Sequence, residues 1–129
     1  MPKQLICPKE FSAAAEALNM SPGILAGDLL FLTGVTGGDA EGRMPDAEAQ
    51  FETCFNKTES VLSAAGLTLD SIVEMTTYHI GLRDHFNQFD AVRLERLSPP
   101  YPAWTAVEAG GLRREGAVIE MRIIASLSA

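Results

Sequence analysis

Apolar positions along this chain follow two rhythms, and each rhythm predicts a different element. From Asp46 to Ala65, Phe51, Phe55, Thr58, Leu62 and Ala65 recur at helical spacing, and Cys54 and Val61 widen the stripe. Glu52, Asn56, Glu59 and Ser63 fall on the opposite side, so the segment predicts an amphipathic helix lying on a sheet. Asp46 is a natural N-cap, Glu48 complements the dipole of the first turn, and Gly66 stands where a left-handed C-cap belongs. A second helix is expected from Asp84 to near Leu97, ahead of Pro99-Pro100, with Phe86, Phe89, Val92 and Leu97 inward.

The other rhythm has a period of two. Ile72 to Leu82 alternates, with Ile72, Glu74, Thr76, Tyr78, Ile80 and Leu82 on one face and Val73, Met75, Thr77 and His79 on the other. Ile24 to Ala26 and Leu29 to Thr33 flank Gly27-Asp28, the signal of a tight hairpin. Ala103 to Glu108 and Ala117 to Ser126 read as two more strands, with a short one at Gln4 to Ile6. The glycine-rich stretch from Gly34 to Pro45 lacks the ending of a phosphate loop and does not fit G-x-G-x-x-G, so it reads as a connection. The order β-β-α-β-α-β-β predicts one α+β domain over residues 1–129, a mixed β-sheet with two helices on one face.

That arrangement leaves one sheet face bare. In the last strand Ile119, Met121, Ile123, Ala125 and Leu127 form the face expected under the helices, and Val118, Glu120, Arg122 and Ile124 the other. Trp104, Ala106 and Glu108 share a face of the preceding strand. A bare side that still shows Trp, Val and Ile predicts burial against a second copy of the chain.

Composition narrows the function. Apolar residues make up 47% of the chain against 21% charged, a globular balance. The net charge is −7, from 17 acidic and 10 basic residues, and Arg113-Arg114 and Arg93/Arg96 each have a glutamate nearby. Binding to nucleic acid or to an anionic membrane needs a basic surface, so neither is expected as a partner. There is no signal-peptide pattern and no apolar run of spanning length. The two cysteines, Cys7 and Cys54, show no zinc spacing, and the expected setting is a reducing cytoplasm without a metal or cofactor. His79 and His85 have no nucleophile at a suggestive spacing and read as structural or surface residues. The chemically informative residue is Glu120, a carboxylate flanked by apolar neighbours that is costly to bury alone. It must pair with Arg122 or a cation of a neighbouring chain, or else stand ready to activate water or move a proton.

The chain resembles the reactive intermediate deaminases, the RidA/YjgF family. The resemblance rests on the run from Ala26 to Gly34, on Gln50 and Asn56, on Ala64-Ala65-Gly66-Leu67 and on Phe86 to Val92, and it closes with Pro102-Ala103 and Ile119-Glu120…Ile124-Ala125. It implies a chorismate-mutase-like fold and a homotrimer with small-molecule clefts between subunits, whose members hydrolyse 2-imino or 2-enamino acids without a cofactor. In that pattern Glu120 matches the glutamate of the last strand and Thr33-Gly34 the early Ser/Thr-Gly pair. Trp104 stands where an arginine holds the substrate carboxylate, Met20 where a tyrosine is usual, Asp90 where an asparagine is usual, and Ala106 where a cysteine is common. An indole offers one neutral donor where a guanidinium offers two charged ones. The expectation is therefore a Rid-like hydrolase or deaminase that does not favour simple 2-imino acids, with Glu120 handling water. Trp104, Thr33, Gly34, Asp90, Ala106 and Arg122 are expected to line its site. A neutral, aromatic or cationic ligand stacked on Trp104 fits this expectation, and Arg122 is a candidate substitute cation. The alternative is a non-catalytic metabolite-binding or regulatory trimer.

Overall fold

The computed structural model describes residues 3–128. Strands β1 (Gln4–Ile6), β2 (Gly23–Ala26), β3 (Leu29–Leu32), β4 (Val35–Thr36), β5 (Ile72–His79), β6 (Ala103–Glu108) and β7 (Ile119–Ser126) form one sheet. Three helices accompany it: α1 (Ser12–Leu18), α2 (Ala47–Ala64) and α3 (Leu82–Arg96). The order across the sheet is β1-β2-β3-β7-β5-β6, and β4 also pairs with β7. All neighbours are antiparallel except β5 and β6, whose parallel pairing is bridged by α3. The α+β arrangement and the mixed sheet are as the sequence implies.

Local chemistry explains the element ends. Asp46 accepts a hydrogen bond from the Ala49 amide at 3.0 Å, satisfying one of the free donors at the start of α2. At the other end Leu67 N–H reaches the Leu62 carbonyl and Gly66 N–H the Ser63 carbonyl, while Gly66 takes the positive φ (76°) that this termination needs. The start of α3 is held from a distance. The Glu108 carboxylate accepts from the amides of Gly81 (3.0 Å) and Leu82 (2.7 Å), and these two bonds hold its pKa below the usual glutamate value.

The core lies between the sheet and α2 and α3. Phe51, Phe55, Val61 and Leu62 from α2 and Phe89 from α3 meet Leu30, Met75, Ile119, Met121 and Ile123 from the strands, all nearly free of solvent exposure. Phe89 sits edge-on to Phe51 at 5.2 Å and stacked on Phe55 at 6.1 Å. Burying such a side chain stabilises by roughly 1.5–3 kcal/mol, so this cluster holds the helices down. In β5 a bulge between Ile72 and Glu74 shifts the alternation, which lets Ile72 and Met75 both face the core.

Five details depart from the sequence reading. Helix α1 was not anticipated: Ser12–Leu18 fully buries none of its residues, and its short stripe of Phe11, Ala15 and Leu18 lines a surface cleft. The stretch from Gly34 holds β4, two residues long, rather than connection alone. Phe86 is exposed at the rim instead of inward, and Leu127 lies beyond the end of β7 and is exposed as well. Trp104 lies on the helix-covered side. It pairs in register with buried Met75 and stacks on Phe86, so the bare face is carried by Val118 and Ile124 without it.

Candidate functional site

The site grows from a break in the sheet. β3 and β4 both pair with β7, and Thr33-Gly34 connect them as the chain steps from one pairing to the next. In β7, Glu120 alternates with the fully buried Ile119 and Met121, and it stands opposite Thr36 on one side and Tyr78 on the other. Its carboxylate lies against Gly34, where a Cβ would collide with the carboxylate oxygen. Glycine leaves room there for a charged side chain to lie on the backbone. Gly37, at the far end of β4, is needed for a similar reason, because a side chain would meet the backbone of Gln50 in α2.

Two concavities meet at Glu120. One, of about 270 Å³, is walled by Phe11, Ala15 and Leu18 at α1, by Met20 and by Val61, with Thr33, Gly34, Lys57 and Arg113 among its polar groups. The other, of about 300 Å³, adds Tyr78, Leu112 and Arg122. Glu120, Gly34 and Arg113 belong to both. Glu120, Thr33, Gly34 and Arg122 thus gather in one region. No ion pair joins Glu120 to Arg122 among the described residues, although they share a face of one strand.

Lys57 is the site residue that sequence reasoning missed. Its ammonium donates to the Thr36 carbonyl at 2.6 Å, on the residue paired with Glu120. Burial lowers its pKa from the ordinary lysine value, and the charge of Arg114 acts in the same direction. One turn earlier, Cys54 is fully buried, its thiol donates to the Val35 carbonyl, and burial pushes its pKa up to about 12. Such a thiol is a packing group, not a nucleophile. A signal for Lys57 existed: it sits between Cys54 and Val61 on the flank of the buried stripe.

Behind the rim, Gln50 fastens the surrounding loops. Its buried amide donates to the carbonyls of Pro45 (2.8 Å) and Gly116 (3.2 Å) and accepts from the Val118 amide (2.9 Å). This ties the start of α2 to the approach of β7, two residues before Glu120.

Trp104, Asp90 and Ala106 lie elsewhere in the chain. Trp104 pairs with Met75 and Glu120 with Tyr78, about 10 Å apart along β5 and on opposite faces of the sheet. The indole N–H donates to Thr77 Oγ1 at 2.9 Å. Its ring lies parallel to Phe86 at 5.7 Å, and the Arg93 guanidinium rests over it at 4.4 Å. Arg93 is in turn paired with Asp90 at 2.7 Å. Position 104 is thus occupied by an aromatic ring whose donor and π-face are engaged within the chain, and a guanidinium from α3 lies on top of it. Ala106 pairs with Thr77 farther along β6.

The two histidines meet here too. His79 Nε2 lies 2.7 Å from Thr77 Oγ1, and His79 Nδ1 lies 3.0 Å from His85 Nε2. The chain Trp104–Thr77–His79–His85 runs beneath α3, and burial pushes His79 down to about 4 and lowers His85 as well. Among the described residues no group of three or more His, Cys, Asp or Glu side chains gathers to hold a metal, and no helix is long and apolar enough to cross a membrane.

Comparison with known proteins completes the picture. The family model described as Endoribonuclease L-PSP (Ribonuc_L-PSP) matches residues 11–127. The RutC family protein YjgH of Escherichia coli K12 is 37% identical over 109 residues, covering 83% of this chain and 82% of that protein. Among solved structures, protein YjgH superposes with a TM-score of 0.89 at 31% identity, over 98% of each chain. RidA from the Antarctic bacterium Psychrobacter sp. gives 0.77 at 29% identity, over 82% of this chain and 86% of that one.

Proposed function

The chain belongs to the RidA/YjgF family, and from that membership we propose that it is a small-molecule hydrolase of the deaminase type whose reaction takes place at Glu120. The supporting observation is the carboxylate itself. It is half-buried against Gly34 at the meeting of two clefts, and among the described residues it has neither an ion pair nor a hydrogen-bond partner. A half-buried carboxylate that opens onto two clefts and has no protein partner is available to orient water or to carry a proton. Glu120 is the catalytic group in this proposal. Thr33 and Gly34 line the approach of the reacting atoms, and Arg122 faces the second cleft.

The substrate is not a simple 2-imino acid. Where the family pattern calls for a bidentate arginine, Trp104 has already given its N–H to Thr77, and the Arg93 charge above it is met by Asp90. Losing a bidentate anchor in a sheltered pocket costs a few kcal/mol, on the order of a hundredfold in affinity. Trp104, Asp90 and Ala106 lie away from Glu120 in the same chain, so they enter the proposed site only where a neighbouring subunit of a homotrimer brings them to it. The net charge of −7 argues against RNA as substrate, whatever the family's descriptive name.

The test is a panel of freshly generated imines and enamines, with amides and lactams beside them, followed by ammonia or product release. Glu120→Gln should lower turnover by a hundredfold or more while leaving ligand-induced thermal shifts in place. Ligand-induced shifts with no turnover on any compound would replace the hydrolase with a metabolite-binding protein. A monomer in sedimentation would remove Trp104, Asp90 and Ala106 from the site.

A further inference from the structure

We propose that Lys57 is a second reactive group of the Glu120 cleft, a nucleophilic amine that forms a Schiff base with the carbonyl or imine carbon of the ligand. The inference deepens the reading of that cleft as a small-molecule site. Three observations carry it. Lys57 lines the same 270 Å³ concavity as Glu120. Its Nζ is placed by the Thr36 carbonyl, and Thr36 is the residue directly opposite Glu120 in the β4–β7 pairing. It also has no carboxylate within salt-bridge distance among the described residues, unlike Arg43, Arg93 and Arg96. Half-buried beside Phe11, Leu18 and Val61, and close to Arg114, this amine gives up its proton more readily than an ordinary lysine.

The chemistry balances without any added oxidant or reductant. With an imine, the Lys57 Nζ lone pair forms the new C–N bond, and the C=N π pair moves to the substrate nitrogen, which takes a proton. Collapse of the resulting diamine expels ammonia and leaves the lysine Schiff base, with Glu120 receiving and returning the protons. Water then adds to that carbon, the ketone departs, and the free amine is restored. With a ketone or aldehyde the first half loses water instead of ammonia.

The sequence makes the test clean, because Lys57 shares the chain with only two other lysines, Lys3 and Lys9, both exposed near the N-terminus. The protein is incubated at pH 7.5 with pyruvate or with benzaldehyde and sodium cyanoborohydride, and peptide mass spectrometry locates the reduced adduct. At least one of these carbonyl probes should label Lys57 tenfold or more faster than Lys3 and Lys9. Lys57→Arg, which keeps the charge but not the reactivity, should abolish that label with little change in Tm. Labelling of Lys57 no faster than of the two exposed lysines by both probes would overturn the proposal. If Glu120→Gln abolishes turnover while Lys57 stays unlabelled, the amine is excluded and the carboxylate reading stands. If Lys57 is labelled while Glu120→Gln turns over normally, the amine stands and the carboxylate reading falls.

Discussion

Acid should weaken this protein through His79, and the size of the effect follows from where that ring is kept. His79 is wholly buried, with Thr77 on one ring nitrogen, His85 on the other and Phe89 edge-on at 5.2 Å. The groups that bear on its charge are His85 on α3, which opposes protonation, and Glu108 on β6, which favours it; burial is the largest influence and takes the pKa from 6.5 to about 4. Above about pH 6.5 the ring is neutral in both folded and unfolded chains, and the native packing is retained in full. As the pH falls from there towards 4, only the unfolded chain takes up the proton, so stability declines by about 1.4 kcal/mol per pH unit. The total loss is roughly 3 kcal/mol by pH 4, on the order of a hundredfold in the unfolding equilibrium. Urea denaturation at fixed protein concentration between pH 4 and 7.5 measures it, with His79→Gln as the reference that removes the group and leaves the carboxylates in place. The wild type should lose about 3 kcal/mol more than the variant across that range. Parallel pH profiles for the two proteins, or an NMR titration of His79 with a midpoint near 6.5, would refute the reasoning.

Two further substitutions test the scaffold of the cleft. Gly34→Ala sets a methyl group where the Glu120 carboxylate now lies, so the flexible carboxylate must swing away; stability should fall by about 1 kcal/mol or less, while turnover falls more than tenfold. Unchanged stability and activity would mean that the contact is not retained in solution. Gln50→Ala leaves the Val118 amide and the Pro45 and Gly116 carbonyls without their partner, and about 1–3 kcal/mol should be lost in denaturation. Hydrogen exchange at Val118 should speed up in the same variant.

Much of this architecture can be read from the order of residues, because the determining interactions are periodic or nearly local. Helix α2 shows its cap, its stripe and its glycine stop within a continuous stretch, and the β2–β3 hairpin shows its turn between two apolar runs. The features that escape are those decided across the fold. Helix α1 is only seven residues long, and its weak stripe of Phe11, Ala15 and Leu18 spans too few turns to stand out. β4 is two residues long and exists only because β7 lies beside it. The alternation in β6 places Trp104 with Ala106 and Glu108 correctly but cannot say which face is covered; the register against Met75 settles that. The His79–His85 contact joins the end of a strand to the first turn of a helix across Gly81, where spacing alone shows two isolated histidines. The candidate site divides along the same line. Glu120, Thr33 and Gly34 are found together as the family pattern groups them, whereas Lys57 reads as one more polar residue until β4 is laid beneath it.

The contact between residue 34 and residue 120 also limits how this protein can diverge. Space that a methyl group would fill at one position is already taken by the acid at the other, so the two are sterically linked although 86 positions separate them. A descendant that acquires a side chain at 34 must shorten or redirect residue 120, and with it whatever reaction this pocket performs. A side chain at 34 would therefore reshape this pocket even where the rest of the fold is kept.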